Sequence, residues 1–344
     1  MTTFPTTLPT PRTPDPRAAR AMRWGIIGPG WIAERFVGSV RRNTGQTVLA
    51  VGSRAADRSA EFATRLGIER SYGSYEALLA DPDVDVVYVA SPHNAHFPCA
   101  TLAIAAGKHT VVEKPIALNA TQAAALRDLA AAQGVLLMEA LWTLFLPKFD
   151  VIRQLLADGV FGDVHTVLAD HGEYFEAGHR ILRHDLAGGP MLDLGTYPVS
   201  FAGFVLGSIT DVHAAGEAHP AGVNGQVSAV LAAPGGAQAV VNATVFGNTP
   251  TTASVIGTAA TLAIAGPFYQ PGPLTMTSVR GDRLVYDEPA IAHDGLFFEA
   301  AEAARCIADG RTESPLRPVA DSIETLLVMD EMRRQIGQVF DEER

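Results

Sequence analysis

Residues 24–36 read WGIIGPGWIAERF, an apolar run that turns sharply through glycines into an amphipathic pattern. Trp24 to Ile27 has the character of a short buried strand. Gly28-Pro29-Gly30-Trp31-Ile32-Ala33 then fits G-x-G-x-x-G/A, with alanine in the third place. Each small residue has a mechanical task. Gly28 permits the tight turn, Gly30 lets the backbone approach a pyrophosphate, and Ala33 lets the helix lie close against the strand. The free N–H groups of the first helical turn, at Trp31 and Ile32, face such phosphates with the positive end of the helix dipole behind them.

Working outward, strands are expected at Trp24–Gly28, Thr47–Ser53, Asp85–Ala90, His109–Glu113 and Val135–Glu139, with a brief one at Arg70–Tyr72. Helical patterns separate them at Trp31–Asn43, Ala56–Leu66, Tyr75–Ala80, Ala95–Ala106 and Ala120–Ala132. Repeated βαβ units imply an α/β fold, a doubly wound parallel Rossmann domain over 22–142. From 143 to 344 the pattern becomes long alternating runs at Val164–Phe175, Thr210–His219, Gly225–Pro234, Ala237–Phe246, Thr252–Thr258 and Thr261–Gly266. Helices at Lys148–Asp158, Met191–Leu206, Leu296–Ala308 and Pro318–Gln335 frame them. This predicts an α+β domain for substrate binding and oligomerisation, with a large, mostly antiparallel sheet. Residues 1–21 are rich in Thr and Pro without apolar periodicity and are expected to be a disordered tail with no secretory apolar region; a subunit-embracing arm is the alternative.

Composition narrows the function classes. A chain of 344 residues suits two domains, and 47% hydrophobic with 18% charged residues supports a sizeable core. The net charge of −11 argues against sequence-independent affinity for nucleic acid or anionic lipid. No apolar run reaches membrane-spanning length, so a soluble protein is expected. Two cysteines, Cys99 and Cys306, exclude a disulfide framework and are expected to be buried thiols in a reducing cytoplasm.

The second strand ends Val51-Gly52-Ser53-Arg54, where an NAD-binding unit carries an acidic residue on the ribose hydroxyls. A hydroxyl and a guanidinium, with Arg58 one turn into the next helix, suit a 2′-phosphate instead, which favours NADP. NAD remains the alternative, with Arg54 a solvated cation and Asp57 turned back to the ribose.

His109-Thr110-Val111-Val112-Glu113-Lys114-Pro115 places a lysine at the carboxyl end of a parallel strand, the edge where open α/β sheets bind ligands. The Lys114–Pro115 bond is a candidate for the cis form. Ser91-Pro92-His93-Asn94-Ala95-His96 follows the fourth main strand, and Gly188-Gly189-Pro190-Met191-Leu192-Asp193-Leu194-Gly195-Thr196-Tyr197 lies in the second half. With the glycine turn, these motifs resemble the Gfo/Idh/MocA oxidoreductase family over nearly everything from Met22 to Gly337. The resemblance implies Lys114 beside the nicotinamide and the substrate oxygen, and Ser91, His93, His96 and Glu113 on the cofactor side. Family members commonly carry D-x-G-x-H; here a tyrosine stands in the histidine's place. That departure, with Glu139-Ala140-Leu141-Trp142-Thr143-Leu144-Phe145-Leu146-Pro147, resembles the branch of dimeric dihydrodiol dehydrogenases and NADP-dependent aldose dehydrogenases. Trp142 is then a substrate residue, although relatives often have Arg where Leu144 stands.

The chemistry of the residues points the same way. Asp193 and Tyr197 are four apart on an expected helix and share a face. A phenol with an ordinary pKa near 10 serves as a base near neutrality only if a cation such as Lys114 stabilises the phenolate. Tyr197 and Lys114 are therefore expected to meet at one substrate oxygen, with Asp193 as a third catalytic residue or, alternatively, a buried capping carboxylate. His179 and Arg180 are candidates for substrate hydroxyls or for ordering the cleft, the alternative being surface residues. His93 and His96 lack a third ligand, so no metal is expected. The function read from this is NADP-dependent hydride transfer between nicotinamide and a carbinol carbon of a sugar or trans-dihydrodiol, a small polyhydroxylated substrate. The alternatives are an NADPH-dependent keto-sugar or imine reductase, and a non-catalytic NADP-sensing protein. A homodimer or higher homo-oligomer is expected through the exposed face of the second-domain sheet.

Overall fold

The computed structural model describes residues 4–289 and 291–343. The chain divides into two compact units. One holds Pro14–Phe145 and Ala292–Ile323; the other holds the segment ending at Thr13, Leu146–Ile291 and the segment from Glu324 onward.

The first unit contains β1 (Arg23–Ile27), β2 (Thr47–Gly52), β3 (Arg70–Tyr72), β4 (Val86–Val89), β5 (His109–Glu113) and β6 (Leu137–Ala140). Every pairing is parallel and the order is β3-β2-β1-β4-β5-β6. The direction of winding reverses between β1 and β4, so a crevice opens beyond their carboxyl ends. All four residues of β4 are buried, which is why that stretch is almost purely apolar. Helices Trp31–Asn43, Ala56–Leu66, Tyr75–Leu79, His93–Ala105 and Ala120–Gln133 connect the strands. Their ends follow local chemistry: the Asn119 side chain accepts the Gln122 N–H, and Gly134 closes that same helix at φ 65°. Phe36 stacks on Tyr88 at 3.9 Å and meets Trp24 at 5.3 Å, fixing the first helix on the sheet. Helix Phe297–Ala308 belongs to this unit too, although the sequence places it with the second half.

The second unit is built on β7 (Val164–Gly172), β8 (Asp211–Ala218), β9 (Asn224–Ala232), β10 (Gln238–Thr244), β11 (Ala253–Gly257), β12 (Ala260–Ile264), β13 (Leu274–Ser278) and β14 (Arg283–Tyr286). The order is β14-β13-β12-β11-β7-β10-β9-β8, antiparallel except between β10 and β7. Helix Thr196–Leu206 covers one face, and alternation along β7 buries Val167, Ala169 and His171 while exposing Leu168. The expected helix Met191–Leu206 is not α-helical throughout: Met191–Gly195 forms a π-turn and the α-helix starts at Thr196. Strands β13 and β14 have no counterpart in the sequence reading, because they are short and follow the Gly/Pro-rich stretch 266–273.

The Thr/Pro-rich segment read as a disordered tail takes a defined course in its described part. The Arg12 N–H and guanidinium donate to Asp150 at 2.6 and 3.1 Å, Gln154 donates to the Thr10 carbonyl at 3.0 Å, and Asp15 caps a 3-10 turn at Pro16–Ala18. Prolines already restrict the unfolded chain, so a few anchors suffice to hold it. Among the described residues no helix is long and apolar enough to cross a membrane.

Candidate active site

The nucleotide half is laid out in the first unit. Gly28 has φ +95°, and a Cβ there would meet the Ala90 carbonyl oxygen at 2.8 Å, so only glycine fits. At Gly30, the N-cap of helix Trp31–Asn43, a Cβ would find only the Ala90 oxygen, 3.9 Å away. Among the described residues no atom crowds that position, which leaves the backbone open to the approach of a phosphate. Ala33 is fully buried against the sheet, while Trp31 is exposed, with Arg35 above its ring at 5.5 Å. Ser53 is buried at the end of β2 and its hydroxyl accepts the Ala55 N–H, whereas Arg54 and Arg58 are exposed. These features fit a dinucleotide, with the exposed Arg54 and Arg58 following the end of β2.

At the carboxyl end of β5 the Lys114–Pro115 peptide is cis. Glu113 turns inward: Tyr88 donates its hydroxyl to one carboxyl oxygen and the Lys114 N–H donates to the other at 3.1 Å. His96 is 1% exposed, with ring nitrogens 2.7 Å from the Pro115 carbonyl and 2.9 Å from the Ser91 carbonyl. It straps the loop after β4 to the loop after β5. His93 lies 5.6 Å from it, edge to face. Among the described residues no group of three His, Cys, Asp or Glu is placed to hold a metal ion. Trp142 is buried and stacks on His293, which also packs against Trp31.

Glu299, absent from the sequence reading, lies in this unit with 0% exposure, and neither carboxyl oxygen has a hydrogen-bond partner among the described residues. Burial, reinforced by the charge of Glu113, holds its carboxyl well above the ordinary carboxylate range. Its stabilising effect is complete below about pH 4.3, where the unfolded chain also keeps the proton, and is lost as pH rises toward the folded value. Glu299→Gln is therefore expected to match the wild type in Tm near about pH 4.3 and to exceed it increasingly as pH rises toward the folded value. Melting curves across that range check this, and a difference independent of pH contradicts it.

The substrate half lies in the second unit. Asp193 occupies the π-turn, and Arg180 donates to it at 2.9 Å. The carboxylate is thus ion-paired from outside its helix. His179 caps the turn Arg180–Leu182 by accepting the Ile181 N–H at 3.3 Å, and its ring stacks on Phe175 at 4.5 Å. Tyr197 is buried in the first turn of helix Thr196–Leu206 and stacks on Tyr269 at 4.4 Å; His171 meets the two rings at 5.5 and 4.6 Å. Glu173 accepts from His171 Nε2 at 2.9 Å and from the Tyr269 hydroxyl at 3.3 Å. The hydrogen bond from His171 holds the Glu173 carboxyl below its ordinary range, and burial pushes the Tyr269 phenol up. His171, Glu173 and Tyr269 are missed by the sequence reading. The first two did carry a signal, since residues two apart on a strand share a face.

The architecture agrees with the comparisons. The family model described as "Oxidoreductase family, NAD-binding Rossmann fold" (GFO_IDH_MocA) matches residues 22–141, and "GFO/IDH/MocA C-terminal domain" matches 149–263. The chain is 35% identical over 337 residues to trans-1,2-dihydrobenzene-1,2-diol dehydrogenase of Mus musculus, covering 94% of this chain and 99% of that protein. The Bos taurus protein of the same name is 32% identical over 336 residues, with the same coverage. Among solved structures, KijD10, a 3-ketoreductase from Actinomadura kijaniata in complex with NADP and TDP-benzene, superimposes with TM-score 0.81 at 28% identity, covering 92% of this chain and 98% of that one. Levoglucosan dehydrogenase in complex with NADH and levoglucosan shares the fold, with TM-score 0.83 at 20% identity over 92% of this chain and 98% of that one.

Proposed function

The chain belongs to the Gfo/Idh/MocA oxidoreductase family, and from that premise we propose that it is an NADP-dependent dehydrogenase acting on a carbinol carbon of a sugar or trans-dihydrodiol. When bound, the nicotinamide supplies the two-electron acceptor; the chain's own groups bind, orient and move the proton. In this reading Tyr197 takes the carbinol proton, Lys114 lowers the cost of the phenolate and orients the oxygen, and Asp193, held by Arg180, orders the turn that leads into Tyr197. The observation that carries it is the retention of both a lysine after β5 and a buried tyrosine after the π-turn. A protein that only sensed the nucleotide would have no use for a tuned phenol. The dihydrodiol class rests on the relatives named trans-1,2-dihydrobenzene-1,2-diol dehydrogenase, and the sugar class on the motif resemblance to aldose dehydrogenases.

NADP is preferred over NAD in this reading because β2 leads into Ser53 and two exposed arginines with no carboxylate at its end. Arg54→Ala combined with Arg58→Ala is expected to raise KM for NADP by about 10–100-fold, in keeping with about 1.5–3 kcal/mol for hydrogen bonds to charged groups. KM for NAD should change little. Steady-state kinetics with each cofactor check this, and equal losses for the two contradict it.

The same reading includes a second copy of the chain. Val230, Val240 and Leu168 are adjacent across β9, β10 and β7 and are 36%, 45% and 44% exposed, an apolar row on the face away from the helix. Light scattering reports the stoichiometry. A cytoplasmic location accords with two buried free thiols.

A further inference from the structure

His171 is the penultimate residue of β7, opposite Ala243 of β10, and its side chain is 2% exposed. One ring nitrogen is accounted for, since Nε2 lies 2.9 Å from Glu173 Oε1. The other, Nδ1, is buried with no hydrogen-bond partner among the described residues. An ionised Glu173 only accepts, so the network assigns the hydrogen to Nε2 and leaves Nδ1 of the neutral ring a bare acceptor. Leaving such an atom unpaired in a folded interior costs about 1–3 kcal/mol, and most buried polar atoms avoid it. The ring that carries it packs near Tyr197, with ring centres 5.5 Å apart.

Resting on the reading of Tyr197 as the proton acceptor, we propose that His171 determines specificity: Nδ1 accepts a hydrogen bond from the hydroxyl next to the reacting carbinol, so the enzyme selects vicinal diols over isolated alcohols. A sugar and a trans-dihydrodiol differ in ring and polarity but share that pair of neighbouring hydroxyls. Glu173 is a positioning residue in this scheme. It holds the tautomer that accepts, and Tyr269, which donates to the same carboxyl oxygen at 3.3 Å and stacks on both other rings, fixes the carboxylate and the imidazole in register. A substrate lacking the second hydroxyl leaves Nδ1 unpaired in the complex, and that penalty is the source of discrimination.

The test compares kcat/KM for two matched pairs, trans-cyclohexane-1,2-diol against cyclohexanol and D-glucose against 2-deoxy-D-glucose, with NADP. The wild type is expected to favour the hydroxylated member at least tenfold on whichever pair it oxidises. His171→Phe keeps an aromatic ring and is expected to bring that ratio to within about twofold of unity, mainly by raising KM for the diol, while the mono-alcohol is affected only a few-fold. Glu173→Gln lets an amide N–H face Nε2, which moves the ring hydrogen to Nδ1; the preference is expected to fall although the histidine is intact. A side chain that only packed the core would change both members of a pair equally. If His171→Phe fails to fold, the Glu173→Gln ratio decides. A wild type that oxidises both members with no preference, or variants that keep it, overturn the role of His171 and leave the dehydrogenase reading standing. No oxidation of any of the four compounds overturns both.

Discussion

Tyr197→Phe is expected to lower kcat by roughly 10²–10⁴-fold, the range for removing a general acid or base, while NADP affinity stays within a few-fold. Phenylalanine keeps the ring that stacks on Tyr269 at 4.4 Å, so the loss isolates the hydroxyl from the packing. The size follows from what the oxygen is asked to do: a phenol near its ordinary pKa of about 10 is a poor base at pH 7 unless a cation favours its anion. Lys114→Met is therefore expected to fall in the same range. Combining the two should cost no more than the worse single change, because residues that act as one unit are strongly non-additive. Absorbance of the reduced nicotinamide measures turnover, and a separate fluorescence titration measures cofactor binding. Multiplicative losses in the double variant show that the two side chains do not serve one oxygen. Wild-type turnover by Tyr197→Phe removes the phenol from the chemistry. Tight NADP binding by a wild type that oxidises none of a panel of aldoses and diols favours the sensing alternative.

What is legible in the sequence is whatever local chemistry dictates. The glycine turn at Gly28 and Gly30, the buried run of β4 and the alternation of β7 each carry their own periodicity, so the parallel sheet and much of the second sheet can be read without coordinates. The lysine after β5 is legible because the carboxyl ends of parallel strands are where such sheets bind ligands. The π-turn at Met191–Gly195 is not, since its residues are as compatible with an ordinary helix start. Tyr269 is hidden for another reason. It sits between Pro267 and Pro271 in a loop with no period, and only the packing of β7 and helix Thr196–Leu206 gives it meaning. Long-range pairings such as Arg180 with Asp193 and Arg317 with Glu139 depend on chain routing, which a window of neighbouring residues does not encode.

The strongest of those pairings carries the largest stability prediction. Arg317, 4% exposed, donates to Glu139 of β6 at 2.8 and 2.9 Å, and Ser322 donates to the same carboxyl oxygen at 2.7 Å. The other Glu139 oxygen accepts the Ile116 N–H at 3.1 Å, which ties the loop after Lys114 to the sheet. Arg317→Met fills much of the volume but strands a carboxylate that is 1% exposed. Breaking one partner of a buried pair costs about 3–5 kcal/mol, a large part of the 5–15 kcal/mol that holds a domain folded. The first-unit transition is expected to drop by roughly 10 °C or more, at about 2–4 °C per kcal/mol. The cause can be separated from simple loss of packing by adding Glu139→Gln. Glutamine stays uncharged and still offers an oxygen to the Ile116 N–H, so the double variant is expected to recover most of the loss. Should the double variant melt as low as Arg317→Met alone, the stranded charge is not the origin of the penalty, and the guanidinium acts through its packing between β6 and the returning 292–323 segment.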